Sequence, residues 1–194
     1  MAITSLKSGI STRSGMVGNT LIYPGSYESI ASASPSAGTA YVDFTSIPST
    51  YTHLQIRAIC RSNDGSAGNN NGIYARFNSD SGSNYSFHFL TGTNAGATGA
   101  AGLASQTEMF INAVNPRGGD TANVYSANVI DILDYANTNK YKTVRALTGD
   151  ALNASGVIRL FSGLWMSATA ISSIRITMEG NFAANSQLAL YGVN

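Results

Sequence analysis

Apolar and polar residues alternate at every second position along most of this chain. In "HLQIRAICR" Leu54, Ile56, Ala58 and Cys60 fall on one side and Gln55, Arg57 and Arg61 on the other, the pattern of a half-buried β-strand. The same period puts Ile73, Ala75 and Phe77 of "GIYARFN" on an inward face, and likewise Met109, Ile111 and Ala113 of "EMFINAV" and Ile174, Ile176 and Met178 of "SIRITMEG". "GVIRLFSGLWM" and "QLALYGV" read as further strands. "VYSANVIDILDY" and "KYKTVRAL" predict two strands joined across "ANTN", where Asn137 and Asn139 suit positive φ. No capped stripe at i, i+3, i+4, i+7 supports a long helix, and residues 107–114 and 167–172 are the places where a helical turn fits. About eight short strands with Gly, Asn and Ser corners predict an all-β chain, an antiparallel β-sandwich of jelly-roll-like form, with a barrel as the second architecture.

Two segments break the pattern. "LTGTNAGATGAAGLAS", residues 90–105, is so rich in Gly and Ala that it predicts a long exposed loop, with Asn94, Gly96, Gly99 and Gly102 as candidate binding positions. Residues 1–26 scatter Leu6, Ile10, Arg13, Met16, Val17 and Leu21 without a period. That segment is read as an extended arm, either docking on another chain or laid along the domain's own edge. The expected organisation is therefore an arm over 1–26 and one β-sandwich domain over 27–194, a length sufficient for one well-covered core.

Composition narrows the partners. Charged residues are 11% of the chain, against about 25% in ordinary soluble domains. A formal charge of +1 supplies no basic stripe, so nucleic acid is not an expected partner. No run of about 18 apolar residues occurs, and the first residues lack a signal-peptide apolar core, so neither membrane nor export by that route is expected. Cys60 is the single cysteine, expected as a buried thiol.

Candidate chemistry concentrates in "RFNSDSGSNYSFHFL", Arg76 to Leu90. A calcium loop of the EF-hand kind needs alternating carboxylates and a Glu at its twelfth position; here Asp80 is the only carboxylate and Thr91 stands at the twelfth position. The stretch therefore reads as a hairpin corner around Asp80 and Gly82, and no metal is expected. His53 and His88, the only histidines, lie on polar sides of strand patterns, and no H-E-x-x-H, G-x-S-x-G, P-loop or C-x-x-C motif occurs. A serine triad assembled in space stays open on motifs alone, but satisfied or surface histidines are the expectation. Asp131 and Asp134 point to opposite faces of one strand and make no glycosidase pair. Gly96, Gly99 and Gly102 have neither the spacing nor the context of a dinucleotide loop. No catalytic residue and no cofactor is expected. Ten tyrosines, among them Tyr27, Tyr85, Tyr125 and Tyr141, suit contact surfaces or sheet edges.

Several stretches carry a resemblance. They are the "F-x-x-I-P-x-x-Y-x-x-L" approach (Phe44, Ile47, Pro48, Tyr51, Leu54), "RFN-x-D-x-G-x-NY" (Arg76 to Tyr85), "GLW" (Gly163 to Trp165), "NF" (Asn181, Phe182) and the terminal "LYG" (Leu190 to Gly192). Over residues 26–194 the chain resembles small virion-associated β-sandwich proteins of tailed bacteriophages. The resemblance implies a non-enzymatic structural module on the particle exterior, made in the host cytoplasm: a homo-oligomeric head decoration (cement) protein. A tail-fibre or receptor-binding module that reads host glycans is the alternative. It implies a homotrimer, with the major capsid protein or tail components as partners, and brings no catalytic residue set with it.

Overall fold

Alternation at period 2 becomes strand after strand because each inward row of aliphatics finds a facing row to pack against. The computed structural model describes residues 15–17, 20–22 and 26–194, apart from 69, 70, 97 and 154. The strands are β1 (Gly15–Val17), β2 (Thr20–Ile22), β3 (Tyr27–Ala33), β4 (Thr39–Phe44), β5 (His53–Cys60), β6 (Asn71–Phe77) and β7 (Tyr85–Thr93). They continue as β8 (Thr98–Gln106), β9 (Met109–Asn115), β10 (Ser126–Leu133), β11 (Lys142–Ala151), β12 (Gly156–Trp165), β13 (Ile174–Phe182) and β14 (Gln187–Val193).

An eight-stranded sheet in the order β3-β14-β5-β10-β11-β12-β7-β8 faces a four-stranded sheet in the order β4-β13-β6-β9, and every pairing is antiparallel. The chain is an all-β sandwich, as the alternation requires. Ile56, Ile130, Val144 and Phe161 from the large sheet meet Ile73, Met109, Ile111 and Ile176 from the small one in a single buried cluster. β9 crosses over β10, β11, β12 and β7. Gly163 lies beneath Met109, where a Cβ would come within 2.2 Å of the thioether sulfur, so this glycine lets the sheets approach.

β10 and β11 form the expected hairpin, pairing from Ala127↔Gly149 to Leu133↔Thr143. The residue with positive φ at that turn is Asp134, at 49°, rather than Asn137 or Asn139; Asn137 instead accepts the Asn139 N–H on its Oδ1 at 2.7 Å. In β13 Gly180 and Asn181 both have positive φ, and the register with β4 slips between Thr177 and Phe182 at the bulge they create.

Three other expectations are corrected. Residues 107–114 hold no helical turn, because Met109–Asn115 is β9; among the described residues 167–172 there is also no helix. Residues 90–105 are not a loop: they are the end of β7, a tight turn, and most of β8, so Gly99 and Gly102 sit in a strand while Asn94 and Gly96 form the turn. A Gly/Ala run makes a strand here because ladder hydrogen bonds are backbone bonds, and β7 supplies the partner. Gln55 and Arg61, assigned to the polar side of their strand, are both buried at 7% exposure.

Of the arm positions, Leu6, Ile10 and Arg13 lie outside the described residues. Met16, Val17 and Leu21 fall in β1 and β2, which pair with Met16 opposite Leu21.

The core also contains polar groups that the pattern reading did not anticipate. Asn112 donates to Asn128 Oδ1 at 2.7 Å, Ser126 Oγ to Asn115 Oδ1 at 2.5 Å, and Thr148 Oγ1 to Asn112 Oδ1 at 3.0 Å, linking the two sheets through buried amides and hydroxyls. Each is satisfied by another member, so the network tolerates its burial.

Candidate functional site

The Asp80 region is a fully paired corner. Asp80 Oδ1 accepts the Gly82 N–H at 2.9 Å, and Oδ2 accepts Trp165 Nε1–H at 2.7 Å and Asn84 Nδ2 at 3.0 Å. Its lone pairs point at N–H donors, the reverse of what a cation needs, and no group of three His, Cys, Asp or Glu residues suited to a metal occurs among the described residues. The turn reading holds, but the hairpin does not: β6 belongs to the small sheet and β7 to the large one, so this corner carries the chain from one layer to the other. Tyr85 pins it, its hydroxyl donating to Asp80 O and accepting the Phe77 N–H, each at 3.1 Å; burial pushes that phenol up to about 12.

Desolvation raises the Asp80 pKa, but hydrogen bonds from Trp165, Asn84 and the Gly82 N–H, with Arg76 nearby, outweigh it and hold the carboxyl below its usual range. A depressed folded pKa contributes stability above the unfolded value of about 3.9 and loses it as pH falls through the folded value. Asp80→Asn is therefore expected to be less stable than wild type at neutral pH, with the gap closing below about pH 4. Urea midpoints of the two proteins from pH 7 to pH 2.5 check this; a gap that stays constant across the series contradicts it.

His53 does meet a carboxylate. Its Nδ1 lies 3.5 Å from Asp134 Oδ1, and Asp134 also takes a charge-assisted hydrogen bond from Lys140 that, with His53 behind it, holds the carboxyl low. The geometry is the reverse of a catalytic triad. His53 Nδ1 accepts the Asp134 backbone N–H at 2.9 Å, whereas a triad histidine donates from Nδ1 to its acid. His53 ties the start of β5 to the β10–β11 turn. His88 is exposed, its ring lying over Gly102 on the neighbouring strand. Asp131 accepts Gln55 Nε2 at 2.8 Å. Cys60 is buried, and desolvation drives its thiol well above the usual range.

The tyrosines divide. Tyr85 and Tyr135 are core residues, and Tyr125 donates to Ala184 O at 2.9 Å. Tyr27, Tyr41 and Tyr141 are exposed, Tyr27 beneath Arg57 and Tyr41 beneath Arg175.

The unusual surface is the outer face of the eight-stranded sheet. The small sheet covers the inner face only, and outward positions should then be polar. They are not. Val129 on β10, Leu147 on β11, Leu160 on β12 and Leu90 on β7 are successive Cα partners and form one apolar ladder across four strands. Ile59 and Ile158 extend it in the adjacent row, where Ala127 and Gly149 stand between them and Gly92 follows Ile158. Leu147, Ile158, Leu160 and Leu90 are 51%, 56%, 55% and 57% exposed. Two shallow concavities of about 470 and 480 Å³ flank Val129, one bounded by Ser32, Arg57 and Ala189 and the other by Leu147, Gly149 and Ile158. A third hollow of about 510 Å³ lies on the other side of the β7–β8 hairpin, lined by Tyr74, Phe87, Phe89, Leu103, Glu108 and Phe110, with Gly102 at its wall.

Sequence reading passed over this ladder although a signal was present. "VIDIL", "VRAL" and "VIRLF" are apolar on both parities, as in strands buried on both faces, whereas they are read above simply as strands. The four candidate loop positions are not brought together: Asn94 and Gly96 sit at the hairpin tip, Gly99 and Gly102 along β8. Comparisons with protein-family models, with curated proteins and with solved structures each found no match to this chain.

Proposed function

We propose that the chain is a non-enzymatic structural protein of a bacteriophage virion, a homo-oligomeric decoration protein that stabilises the head exterior. The observation that carries the reading is the apolar face left exposed among the described residues: a broad sheet surface of this kind marks an assembly contact rather than a reaction site. The low charge of the chain and its resemblance to virion-associated sandwich proteins point the same way. Trimer is the order expected once copies are bound on the shell, at the threefold positions such shells offer. Binding to the assembled shell adds stability by mass action. Leu6, Ile10, Arg13, Met16, Val17 and Leu21 belong to an arm that spreads over capsid subunits.

Deleting residues 1–25 is expected to abolish attachment to purified heads while the far-ultraviolet circular dichroism of the domain stays unchanged. Attachment by the truncated chain, or a label on the full chain appearing only at the tail, defeats the proposal.

One observation favours the tail-fibre alternative. The aromatic hollow beside β8 offers Tyr74 and Phe89 as stacking faces, with the Glu108 carboxylate at its rim. On that reading Tyr74→Ala blocks adsorption to cells without altering head stability, whereas a decoration protein leaves adsorption intact.

A further inference from the structure

We infer that the outer face of the eight-stranded sheet is the surface on which copies of this chain pack against one another. The inference rests on reading that face as an assembly contact and adds the occupant: a second copy's same face.

Three features select that occupant. The first is area. Eight strands spaced about 4.8 Å apart, each roughly 20–25 Å long over its paired residues, present on the order of 900 Å², close to the roughly 800 Å² per partner of a standard stable interface.

The second is charge. Next to the aliphatic ladder runs the row Gln55, Asp131, Arg145, Ser162 and His88, in which Asp131 is the direct partner of Arg145. Arg57 donates to Gln55 at 2.7 Å and lies over the Tyr27 and Tyr191 rings. Arg57 is thus engaged within the face, and Asp131, which accepts from Gln55, stands opposite the exposed Arg145, so the face carries both signs and little net charge. Neither an acidic nor a basic partner gains from it, and two copies do not repel.

The third is shape. Leu147 and Leu160 stand up as a pair beside the low ground of Ala127 and Gly149, which floors the 480 Å³ concavity. Knob and hollow lie on the same face, so each copy offers what the other needs; that is the condition for self-complementary contact. With the sheets about 10 Å apart, Leu147 of one copy fills the Ala127–Gly149 hollow of the next.

The test is the mass of the full chain in solution, by light scattering and sedimentation. A same-face contact is two-fold and closes a pair, so wild type in solution is expected at twice the 20.2 kDa mass of one chain. The double variant Leu147→Glu with Leu160→Lys is expected at the mass of one chain. These two residues are cross-strand partners, so opposite charges there support the sheet while removing the apolar contact. Ala127→Arg, which fills the hollow at an exposed position and leaves the core alone, is expected to do the same. Circular dichroism and the unfolding midpoint verify that each variant is folded. A monomeric wild type, an oligomer that survives both variants, or monomeric wild type that sediments with phosphatidylcholine vesicles overturns the inference. These outcomes are separable from the fate of the proposed function. A chain that is monomeric in solution yet present on heads loses only the self-contact; one that oligomerises through this face but is absent from particles loses only the virion role.

Discussion

Trp165→Ala is expected to destabilise the protein by about 4 kcal/mol, the usual range for emptying a buried aromatic site. Trp165 is 2% exposed and closes the end of β12 against Phe77 at 5.5 Å and Tyr85 at 6.3 Å between ring centroids. Its indole N–H also supplies one of the bonds that hold Asp80 at the inter-sheet corner. The substitution leaves a cavity beneath the one crossing from β6 to β7 and takes a donor from a partly buried carboxylate, so the two losses compound. Trp165→Phe separates them: most of the packing returns and the hydrogen bond does not, for an expected cost of about 1–2 kcal/mol. Urea titration followed by circular dichroism measures both. If alanine and phenylalanine prove equally costly, the corner depends on the hydrogen bond rather than on the ring.

The second large effect lies at the opposite end of the sandwich. Arg61→Met is expected to cost about 3 kcal/mol, because a buried guanidinium there is the shared donor to several backbone carbonyls of one turn. Arg61 Nη1 donates to Thr121 O at 2.8 Å and Val124 O at 2.9 Å, and Nη2 to Arg117 O at 2.5 Å and Asp120 O at 3.0 Å. These carbonyls belong to the connection from β9 to β10, which carries the chain between the two sheets. For a chain of this length that loss corresponds to a melting temperature lower by roughly 6–12 °C. Arg61→Lys is expected to recover less than half of it, since one ammonium cannot present the planar fork that reaches five carbonyls, Gly118 O at 3.4 Å being the fifth. Full recovery by lysine in thermal melts shows that charge alone suffices and contradicts this assignment.

The same two residues show where sequence reading succeeds and where it stops. Trp165 reads at once as a large hydrophobe suited to filling the sandwich. Arg61 lies at the end of a strand with clean alternation and is assigned to solvent by parity; it is buried because the distant β9–β10 connection folds over it. Lys142 is a like case. Its parity places it inward with Val144 and Ala146, and it is fully buried, its ammonium donating to Lys140 O at 3.0 Å and Ala168 O at 3.3 Å. Burial depresses its pKa, with Lys140 adding to the shift.

The candidate surface divides in the same way. Every residue of the ladder is apolar in the sequence, and the double-parity runs around Val129, Leu147 and Leu160 are visible there. Their meeting is not, because Leu90 and Val129 become neighbours in one ladder only after β10, β11, β12 and β7 line up in that order. Residues 90–105 were misread for a related reason. Gly and Ala carry almost no local strand signal, and β8 exists because β7 offers a backbone edge to pair with.

What the sequence alone determined is the class of structure and the inward half of each strong strand: alternation is a local property, and a side chain's face follows from its parity. Pairing partners, the unequal division of strands into eight and four, the burial of Gln55 and Arg61, and the exposure of an aliphatic ladder were decided by tertiary structure. Each of these depends on which distant segment arrives alongside, and the free energy of burial goes to whichever surfaces that arrangement brings into contact.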